Sequence, residues 1–283
     1  MTHLLEADQR TVVVTGASDG IGAAACLQLA RAGHRVVVVG RSLDKTKAVA
    51  AQVGTEEWFT ADFAKLDDVR RLADKLRATC PRIDALCNNA GGMFTGPVRT
   101  VDGFERTFQV DYLAGFLLTH LLLDVLLESK GSVVNTSSVG ARMFGQLDLN
   151  NLNHFDDYAS DRAYGDAKLA EIMFAAALHQ RYGSQGLAAV AFHPGVIATN
   201  FASNAGGFMR WAYQSIGRHF MPKPAKGGAV LVHFALGMPG RDWESGRYYN
   251  NHRRIGRTNP QAADQALIDG LWDRSMGMLG LDG

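Results

Sequence analysis

A tyrosine and a lysine stand four residues apart in the segment Tyr164-Gly-Asp-Ala-Lys168. On a helix this spacing puts the phenol and the ammonium on one face, from which both can approach the same bound group. A phenol with a pKa of about 10 is a poor proton donor at neutral pH, and a nearby cation lowers that pKa by favouring the phenolate. Lys168 can serve as that cation, so the pair could move a proton. By itself the spacing is common and usually belongs to a solvated helix face.

A glycine-rich segment lies near the start of the chain, between a run of β-branched residues and a helical pattern. It reads Thr15-Gly-Ala-Ser-Asp-Gly-Ile-Gly22, with the glycines spaced Gly-x-x-x-Gly-x-Gly. The free N–H groups and the dipole at the start of a helix favour an anion, so this turn predicts a site for a dinucleotide pyrophosphate. A glycine turn with a purely structural role is an alternative.

The same segment also fits a second class of enzyme. Its central part has the Gly-x-Ser-x-Gly pattern of a nucleophile elbow, with Ser18 as the nucleophile of a serine hydrolase. In that hydrolase fold several strands and an oxyanion loop precede the elbow, whereas only ten residues precede the first strand here. The pattern therefore favours the dinucleotide site, and the hydrolase remains an alternative.

The second predicted strand ends in Gly40-Arg41-Ser42. In a dinucleotide-binding fold this strand end faces the adenosine ribose, where an acidic residue would bind the 2′-hydroxyl of NAD. The guanidinium of Arg41 is instead well shaped to pair with a 2′-phosphate. The sequence therefore predicts NADP(H), and the alternative is a surface arginine that opens a loop.

The hydrophobic pattern alternates between short buried strands and longer helical stretches, which is typical of βαβ units. The predicted fold class is α/β, a Rossmann-type doubly wound parallel sheet. We expect a single domain over residues 1–283 with a C-terminal elaboration after residue 200; its cofactor-binding part covers about 11–137 and its catalytic and substrate part about 138–283. The predicted strands are 11–15, 35–39, 58–60, 85–87, 132–135, 188–192 and 247–249, and the predicted helices are 21–32, 45–52, 66–79, 101–128 and 161–182.

Composition excludes several classes of partner. A net charge of +1 and a pI near 7.8 give no long-range attraction to nucleic acid. The most apolar run, residues 113–127, is interrupted by polar side chains and is too short to span a bilayer. The three cysteines have no metal-site spacing, and His193 has no second ligand near it, so no metal is expected. The N-terminus lacks a secretory signal, and we expect a cytoplasmic protein.

Three further segments complete a recognisable set: Asn88-Asn-Ala-Gly91, Val134-Asn-Thr-Ser-Ser138 and Pro194-Gly-Val-Ile-Ala-Thr199. With the glycine turn and the Tyr164–Lys168 pair, the chain resembles the short-chain dehydrogenase/reductase family over residues 11–199. The interval of 26 residues between Ser138 and Tyr164 (164 − 138 = 26) is similar to that of the retinol-dehydrogenase-like branch.

The resemblance implies a role for each matching residue. Tyr164 would be the general acid in reduction and the base in oxidation, Lys168 would hold the nicotinamide ribose, and Ser138 would hydrogen-bond the substrate oxygen. A homodimer or homotetramer is also implied. The implied cofactor-binding residues are Gly16, Ser18, Asp19, Gly20, Ile21, Gly22, Arg41, Ser42, Asp62, Phe63, Asn89, Ala90, Gly91, Tyr164, Lys168, Pro194, Gly195, Ile197 and Thr199.

One catalytic position departs from the family pattern. Where the family has an asparagine whose main-chain carbonyl holds a water, this sequence has Asp111. An aspartate can keep that main-chain role, but its carboxylate would compete for the charge of Lys168. The departure therefore bears on the proton relay more than on the class of reaction.

Apolar residues near the motifs suggest a wide substrate pocket. The candidate substrate residues are Met93, Phe94, Phe144, Phe155 and Tyr158, although packing of the loop before Tyr164 onto the sheet explains its aromatic residues equally well. A later stretch contains Phe201, the segment 208–213 and the pair 220–221. It could be a substrate lid, a dimer or core contact, or a membrane-touching helix.

These observations predict an NADP(H)-dependent oxidoreductase that transfers a hydride between nicotinamide and a carbonyl or hydroxyl carbon of an apolar small molecule. A nucleotide-binding sensor or scaffold without turnover is the alternative from another class. The presence of Ser138, Tyr164 and Lys168 argues against it, because a protein that only binds needs no proton donor.

Overall fold

The computed structural model describes residues 9–195 and 224–281 of the chain. Within them the protein forms a seven-stranded sheet in the order β3-β2-β1-β4-β5-β6-β7, and every neighbouring pair is parallel. The predicted doubly wound parallel sheet is confirmed. Its strands are β1 (Thr11–Val14), β2 (Arg35–Gly40), β3 (Trp58–Thr60), β4 (Ala85–Asn88), β5 (Ser132–Thr136), β6 (Ala188–Phe192) and β7 (Arg247–Tyr249).

The central strands consist of β-branched and small apolar residues that are buried on both faces of the sheet. Val13 contributes to one hydrophobic core, whereas Val12 and Val14 contribute to the core on the opposite face. Helices therefore cover both faces, as continuous apolar strands require. The chain leaves β1 toward β2 and β3 and then returns to place β4 on the other side of β1. The resulting crevice is where ligands bind in open α/β sheets.

Four of the five predicted helices are present, whereas the fifth, after β4, differs, and the helices Gly140–Met143, Pro224–Leu236 and Gln265–Leu279 were not predicted. The helices are α1 (Gly20–Arg31), α2 (Leu43–Val53), α3 (Leu66–Thr79), α4 (Arg106–Phe108), a π-helix (Gln109–Leu113), α5 (Ala114–Leu121), α6 (Leu123–Glu128), α7 (Gly140–Met143), α8 (Ser160–Tyr182), α9 (Pro224–Leu236) and α10 (Gln265–Leu279), with short 3₁₀ turns at Gly183–Gln185 and Pro260–Ala263.

The single helix predicted for residues 101–128 was wrong in its start and its continuity. The carboxylate of Glu105 accepts hydrogen bonds from the backbone N–H groups of Thr107 and Phe108, so it caps a helix that starts at Arg106. Val101 lies outside that helix and is 81% exposed. A π-helical turn and a break at Leu122 then divide the rest.

The helix that carries Tyr164 and Lys168 is enclosed by the fold. From Ala163 to Leu178 almost every residue of α8 is buried, because the sheet covers one side and α10 covers another. The indole of Trp272 on α10 lies 5.0 Å from the ring centroid of Phe116 and 6.1 Å from that of Phe174. This aromatic contact joins α10 to both α5 and α8 and makes α8 a rigid support for its polar residues.

Two further features of the fold are the hydropathy of its helices and the state of its cysteines. None of the helices in the described part of the chain combines the length and the hydropathy needed to cross a bilayer. Cys26, Cys80 and Cys87 are free thiols and are all buried. Burial raises the pKa of each thiol, to about 11 at Cys80 and to about 12 at Cys26, so they remain protonated at neutral pH.

Trp272→Ala should destabilise the protein by about 3–5 kcal/mol, because it leaves a cavity between α5, α8 and α10. Chemical denaturation followed by circular dichroism measures this loss. Asp273→Ala, on the exposed side of the same helix, is the matched control and should change stability by about 0.5 kcal/mol or less. Equal stabilities of the two variants would show that the aromatic contact does not anchor α10.

Candidate active site

A cavity of about 560 Å³ opens at the carboxyl ends of the central strands. The loops after strands β1 to β6, together with residues of the π-helix and α8, form its walls. The cavity therefore brings together motifs that lie far apart in sequence. The predicted site residues that line it are Gly16, Ser18, Asp19, Gly20, Ile21, Arg41, Ser42, Asp62, Phe63, Asn89, Ala90, Gly91, Met93, Phe94, Ser138, Tyr164, Lys168, Pro194 and Gly195.

The glycine turn is shaped for close approach of the backbone. Gly16 has a φ of +63°, and a Cβ atom at this position would lie 2.7 Å from the Cα of Ala90. Asp19 caps α1 by accepting a hydrogen bond of 2.7 Å from the N–H of Gly20. Gly22 does not line the cavity; a Cβ there would lie 2.6 Å from the carbonyl oxygen of Gly16, so this glycine serves close packing beneath the turn.

Ser18 lacks the features of a hydrolase nucleophile. Among the described non-glycine residues, only Lys130, His154 and Arg253 have a positive φ, so the backbone at Ser18 is not the strained elbow that exposes a nucleophile. No histidine is among the described residues that line the cavity. The described lining of the cavity therefore offers Ser18 no histidine as an activating base.

Thr15 is a site residue that the sequence analysis missed. Its hydroxyl accepts hydrogen bonds of 3.0 Å from the N–H groups of both Asn89 and Ala90 and donates one of 3.1 Å to the carbonyl of Cys87. The amide of Asn89 donates to the carbonyl of Thr15 at 2.9 Å. These bonds fix the loop after β4 against the glycine turn. A fully buried hydroxyl at the end of an apolar strand was the signal that could have revealed it.

The far end of the cavity is rimmed by exposed cationic side chains. Arg41 and Ser42 follow β2, and Lys45, which the sequence analysis did not single out, lies on the first turn of α2. The Nζ atom of Lys45 is 3.3 Å from a carboxylate oxygen of Asp19. On the same rim, Asp62 accepts a hydrogen bond from the N–H of Ala64, which orders the loop after β3.

Ser138, Tyr164 and Lys168 meet at the opposite end of the cavity. Gly140 lies between the first two: a Cβ there would be 3.0 Å from the ring of Tyr164 and 3.4 Å from the Oγ of Ser138. The N–H of Gly140 donates to that Oγ at 3.1 Å. The Nζ of Lys168 is 5.8 Å from the centroid of the Tyr164 ring and donates to the carbonyl of Thr136 at 3.2 Å.

Asp111 lies in the π-helix and is 1% exposed. Its Oδ2 is 3.6 Å from the Nζ of Lys168, and its Oδ1 accepts a hydrogen bond of 2.8 Å from the N–H of Gly92. Burial raises the pKa of this carboxyl to about 6, although the charge of Lys168 acts in the opposite direction. The departure noted in the sequence therefore places a second ionisable group in direct contact with Lys168.

The structure divides the candidate substrate residues. Met93 and Phe94 line the cavity, but Phe144, Phe155 and Tyr158 do not line it within the described part of the chain. The guanidinium of Arg99 lies 3.8 Å from the centroid of the Phe155 ring. The hydroxyl of Tyr158 donates to the carbonyl of Phe94 at 3.0 Å, so this tyrosine supports a cavity residue from behind.

The third displaced aromatic residue is Phe144, which packs against the backbone of Gly165 on α8. The aromatic side chains of the loop before α8 therefore contact α8 and the segment between β4 and α4. His193, which could be mistaken for a base, accepts a hydrogen bond from the N–H of Gly195, and burial lowers its pKa to about 4. The residues described contain no cluster of ligands that could hold a metal ion.

Several predicted residues lie outside the described residues. They are Ile197 and Thr199, expected at the nicotinamide carboxamide, together with Phe201, the segment 208–213 and the pair 220–221, expected in a lid or contact surface.

The fold and site define a dinucleotide-binding α/β oxidoreductase with a tyrosine–lysine pair at one end of its cavity. Comparison with known families agrees: the family described as short chain dehydrogenase matches residues 10–207. The chain belongs to the short-chain dehydrogenase/reductase family, whose members act on C=O or CH–OH groups with a nicotinamide cofactor.

Three known proteins are similar to this chain in sequence or structure. A Streptomyces protein provisionally named a daunorubicin C-13 ketoreductase is 38% identical over 277 residues, covering 96% of this chain and 93% of its own. Human retinol dehydrogenase 11 is 32% identical, covering 99% and 89%. A solved structure from Shigella flexneri, described as a short chain dehydrogenase complexed with NADP, has a TM-score of 0.67 and 26% identity, covering 87% of this chain and 98% of its own.

Asp111→Asn should keep or raise turnover at pH 7. The amide oxygen can still accept the hydrogen bond from Gly92, whereas the negative charge that competes for Lys168 is removed. Because the pKa of Asp111 is about 6, the difference from the wild type should shrink as the pH falls below 6 and the native carboxyl is protonated. Steady-state rates between pH 5 and 8 measure this. A loss of a hundredfold or more in a folded variant would show that the carboxylate is essential.

Proposed function

We propose that this protein is an NADP(H)-dependent reductase or dehydrogenase that transfers a hydride between nicotinamide and a carbonyl or hydroxyl carbon of an apolar small molecule. The observation that carries the proposal is the arrangement of the cavity. Ser138, Tyr164 and Lys168 meet at one end, and the cationic rim of Arg41 and Lys45 lies at the other. The glycine turn and the start of α1 lie between the two ends.

The cavity fits a dinucleotide for reasons internal to the structure. Because Gly16 lacks a Cβ, which would lie 2.7 Å from the Cα of Ala90, the turn keeps the tight glycine geometry of a pyrophosphate-binding loop. The start of α1 supplies the positive end of a helix dipole, although the N–H of Gly20 is already bonded to the carboxylate of Asp19. Arg41 supplies a guanidinium suited to the 2′-phosphate, and Lys45 adds a second positive charge beside it. The bound nicotinamide would supply or accept the hydride.

The protein's own residues would handle the substrate oxygen and the proton. The hydroxyl of Ser138 hydrogen-bonds the oxygen of the carbonyl or alcohol and holds it beside Tyr164. The phenol of Tyr164 gives its proton to that oxygen in reduction, and the phenolate takes the proton in oxidation. The ammonium of Lys168 favours the phenolate and is available to the ribose hydroxyls. Asp111 neutralises part of that ammonium charge.

An apolar substrate is supported by the described wall next to the catalytic residues. Met93, Phe94 and Val110 line this part of the cavity. The relatives named retinol dehydrogenase 11 and daunorubicin C-13 ketoreductase are named for an alcohol and a ketone, which supports a substrate with a hydroxyl or carbonyl carbon. The homodimer or homotetramer and the cytoplasmic location remain predictions from the sequence.

Tyr164→Phe should leave NADPH binding nearly unchanged and remove most turnover, because general acid catalysis contributes about 10²–10⁴-fold. Lys168→Ala should instead weaken both cofactor binding and the rate, since it removes the ribose contact and the cation beside the phenol. NADPH fluorescence gives the affinity, and a screen of ketones, aldehydes and alcohols by NADPH absorbance gives the activity. A Tyr164→Phe protein that turns over its substrate at the wild-type rate would contradict the mechanism.

Arg41→Ala should weaken NADPH binding by about 1.5–3 kcal/mol, or roughly 10- to 150-fold in Kd, and leave NADH binding nearly unchanged. The charge-assisted bond to the 2′-phosphate exists only with NADPH. Lys45→Ala should act in the same direction. Lys47→Ala, an exposed lysine of α2 outside the cavity, is the control and should change neither affinity. Equal wild-type affinities for NADPH and NADH would overturn the assignment.

A further inference from the structure

Two buried carboxyl groups lie near one buried ammonium behind the catalytic end of the cavity. Glu171 follows Lys168 by three residues on α8, so the two are neighbours on the helix, and Asp111 of the π-helix forms an ion pair with Lys168. The exposed fractions are 3% for Glu171, 4% for Lys168 and 1% for Asp111. Neither the glycine motif nor the tyrosine–lysine pair accounts for Glu171.

The two acids differ in how their oxygens are satisfied. Asp111 has the N–H of Gly92 at 2.8 Å on one oxygen and the ammonium of Lys168 at 3.6 Å from the other. The Oδ2 atom of Asp111 and the Oε2 atom of Glu171 both lack a hydrogen-bond partner among the described residues, but only the oxygen of Asp111 is in an ion pair with Lys168 there. The main-chain carbonyl of Glu171 accepts from the amide of Asn135 at 3.2 Å, which joins this turn of α8 to β5.

The charges of this cluster cannot all be present at neutral pH without cost. Two ionised carboxylates and one ammonium would leave an uncompensated negative charge in a buried place, and such a group normally shifts its pKa and becomes neutral. Burial raises the pKa of Glu171 to about 8, Asp111 adds to this rise, and Lys168 opposes it. Asp111, with the direct ion pair, ionises first.

We propose that Asp111 and Glu171 are positioning residues that set the charge around Lys168: Asp111 supplies the counter-charge, whereas Glu171, buried with no hydrogen-bond partner for its Oε2 atom among the described residues, keeps its proton. Ionisation of Glu171 places a second negative charge beside the ammonium. The proposal rests on the proposed function, in which Lys168 assists Tyr164. It extends that function to a residue that neither touches the substrate nor lines the cavity.

Three further titratable groups of the described residues interact with the two acids. Tyr112, on the π-helix, contacts Ser275 of α10 through its hydroxyl at 2.9 Å, and the charge of Glu171 contributes to the raised pKa of this phenol. Burial raises the pKa values of Glu105 and Tyr158, and Asp111 makes a smaller contribution in the same direction. Lys168 is the cation that acts on Glu171. Tyr164 lies one helical turn before Lys168 on α8.

The cluster has a defined effect on the phenol of Tyr164. A second negative charge beside Lys168 weakens the cation's effect on Tyr164, so the pKa of the phenol rises when Glu171 ionises. Alcohol oxidation needs the phenolate, and its rate should therefore rise less steeply above about pH 8 than a lone phenol would allow. Glu171→Gln resembles the protonated glutamate and removes this second charge.

Carbon-13 NMR of the protein labelled at the glutamate side-chain carboxyl tests the proposal without any substrate. One glutamate resonance of the wild type should titrate near pH 8. It should be missing in Glu171→Gln and should titrate at lower pH in Asp111→Asn, because a neighbouring negative charge is gone. A wild-type spectrum in which every glutamate titrates between about pH 4 and 6 overturns the proposal, even if a variant fails to fold.

The rate measurement supplies the second arm. Glu171→Gln should match the wild type at pH 6.5–7 and oxidise an alcohol faster above pH 8, by up to roughly tenfold if the pKa of the phenol changes by one unit. Glu128→Gln, an exposed acid on α6, should leave the profile unchanged. An equal effect of Glu171→Gln at all pH values would overturn the proposal. Failure of Tyr164→Phe to reduce turnover would contradict the proposed function and leave the NMR titration standing.

Stability gives a readout that is independent of both arms. A carboxyl whose folded pKa is raised binds more protons in the folded than in the unfolded state, so the folded state loses stability as the pH rises from about 4.5 to 8. Glu171→Gln should therefore gain thermal stability relative to the wild type across this interval. A difference in Tm that is constant from pH 5 to 9 would contradict a protonated glutamate.

Discussion

The ammonium of Lys168 has to be buried and still keep its charge, and much of the site is arranged around this requirement. A cation in an apolar interior is costly unless polar acceptors or a nearby negative charge stabilise it. The carbonyl of Thr136 at the end of β5 and the carboxylate of Asp111 supply them. Gly91 leaves the space, because a Cβ at this position would lie 3.1 Å from both Lys168 and Asp111.

The elements that hold these groups are in turn held by the core. The hydroxyl of Ser137 donates to the main-chain carbonyl of Lys168 at 2.6 Å, which joins α8 to the end of β5 at the catalytic turn. On its other side α8 is covered by the aromatic contact with Trp272. The proton-transfer end of the cavity therefore lies on a strand end and a buried helix, which hold side chains more rigidly than a loop would.

The phosphate end of the cavity depends on backbone geometry more than on side chains. The turn at Gly16 lies close to the loop after β4. The hydroxyl of Thr15 therefore accepts hydrogen bonds from the N–H groups of Asn89 and Ala90, the first two residues of that loop. The two loops belong to adjacent parallel strands, which places them at the same edge of the sheet. The parallel topology thus places the start of α1, which favours an anion, beside the loop after β4. That loop in turn lies next to Lys168.

The sequence by itself determined the strands, the class of fold and the residues at the centre of the site. Runs such as Val12 to Val14 can be satisfied only between two layers of helices, and glycine turns and a tyrosine–lysine spacing are local patterns that survive without coordinates. The start of the helix at Arg106 was missed because it depends on the cap formed by Glu105, which competes with a longer apolar periodicity.

The tertiary structure alone decided which residues share an environment. The sequence predicted Phe155 and Tyr158 as pocket residues. In the structure Phe155 contacts Arg99, and Tyr158 donates a hydrogen bond to the carbonyl of Phe94, so neither lines the described cavity. The direction of a side chain is set by contacts that are distant in sequence. Likewise, no local pattern marks Glu171 as special. Its pKa is raised because the folded chain buries it on α8 and because the negative charge of Asp111, from another element, acts on it.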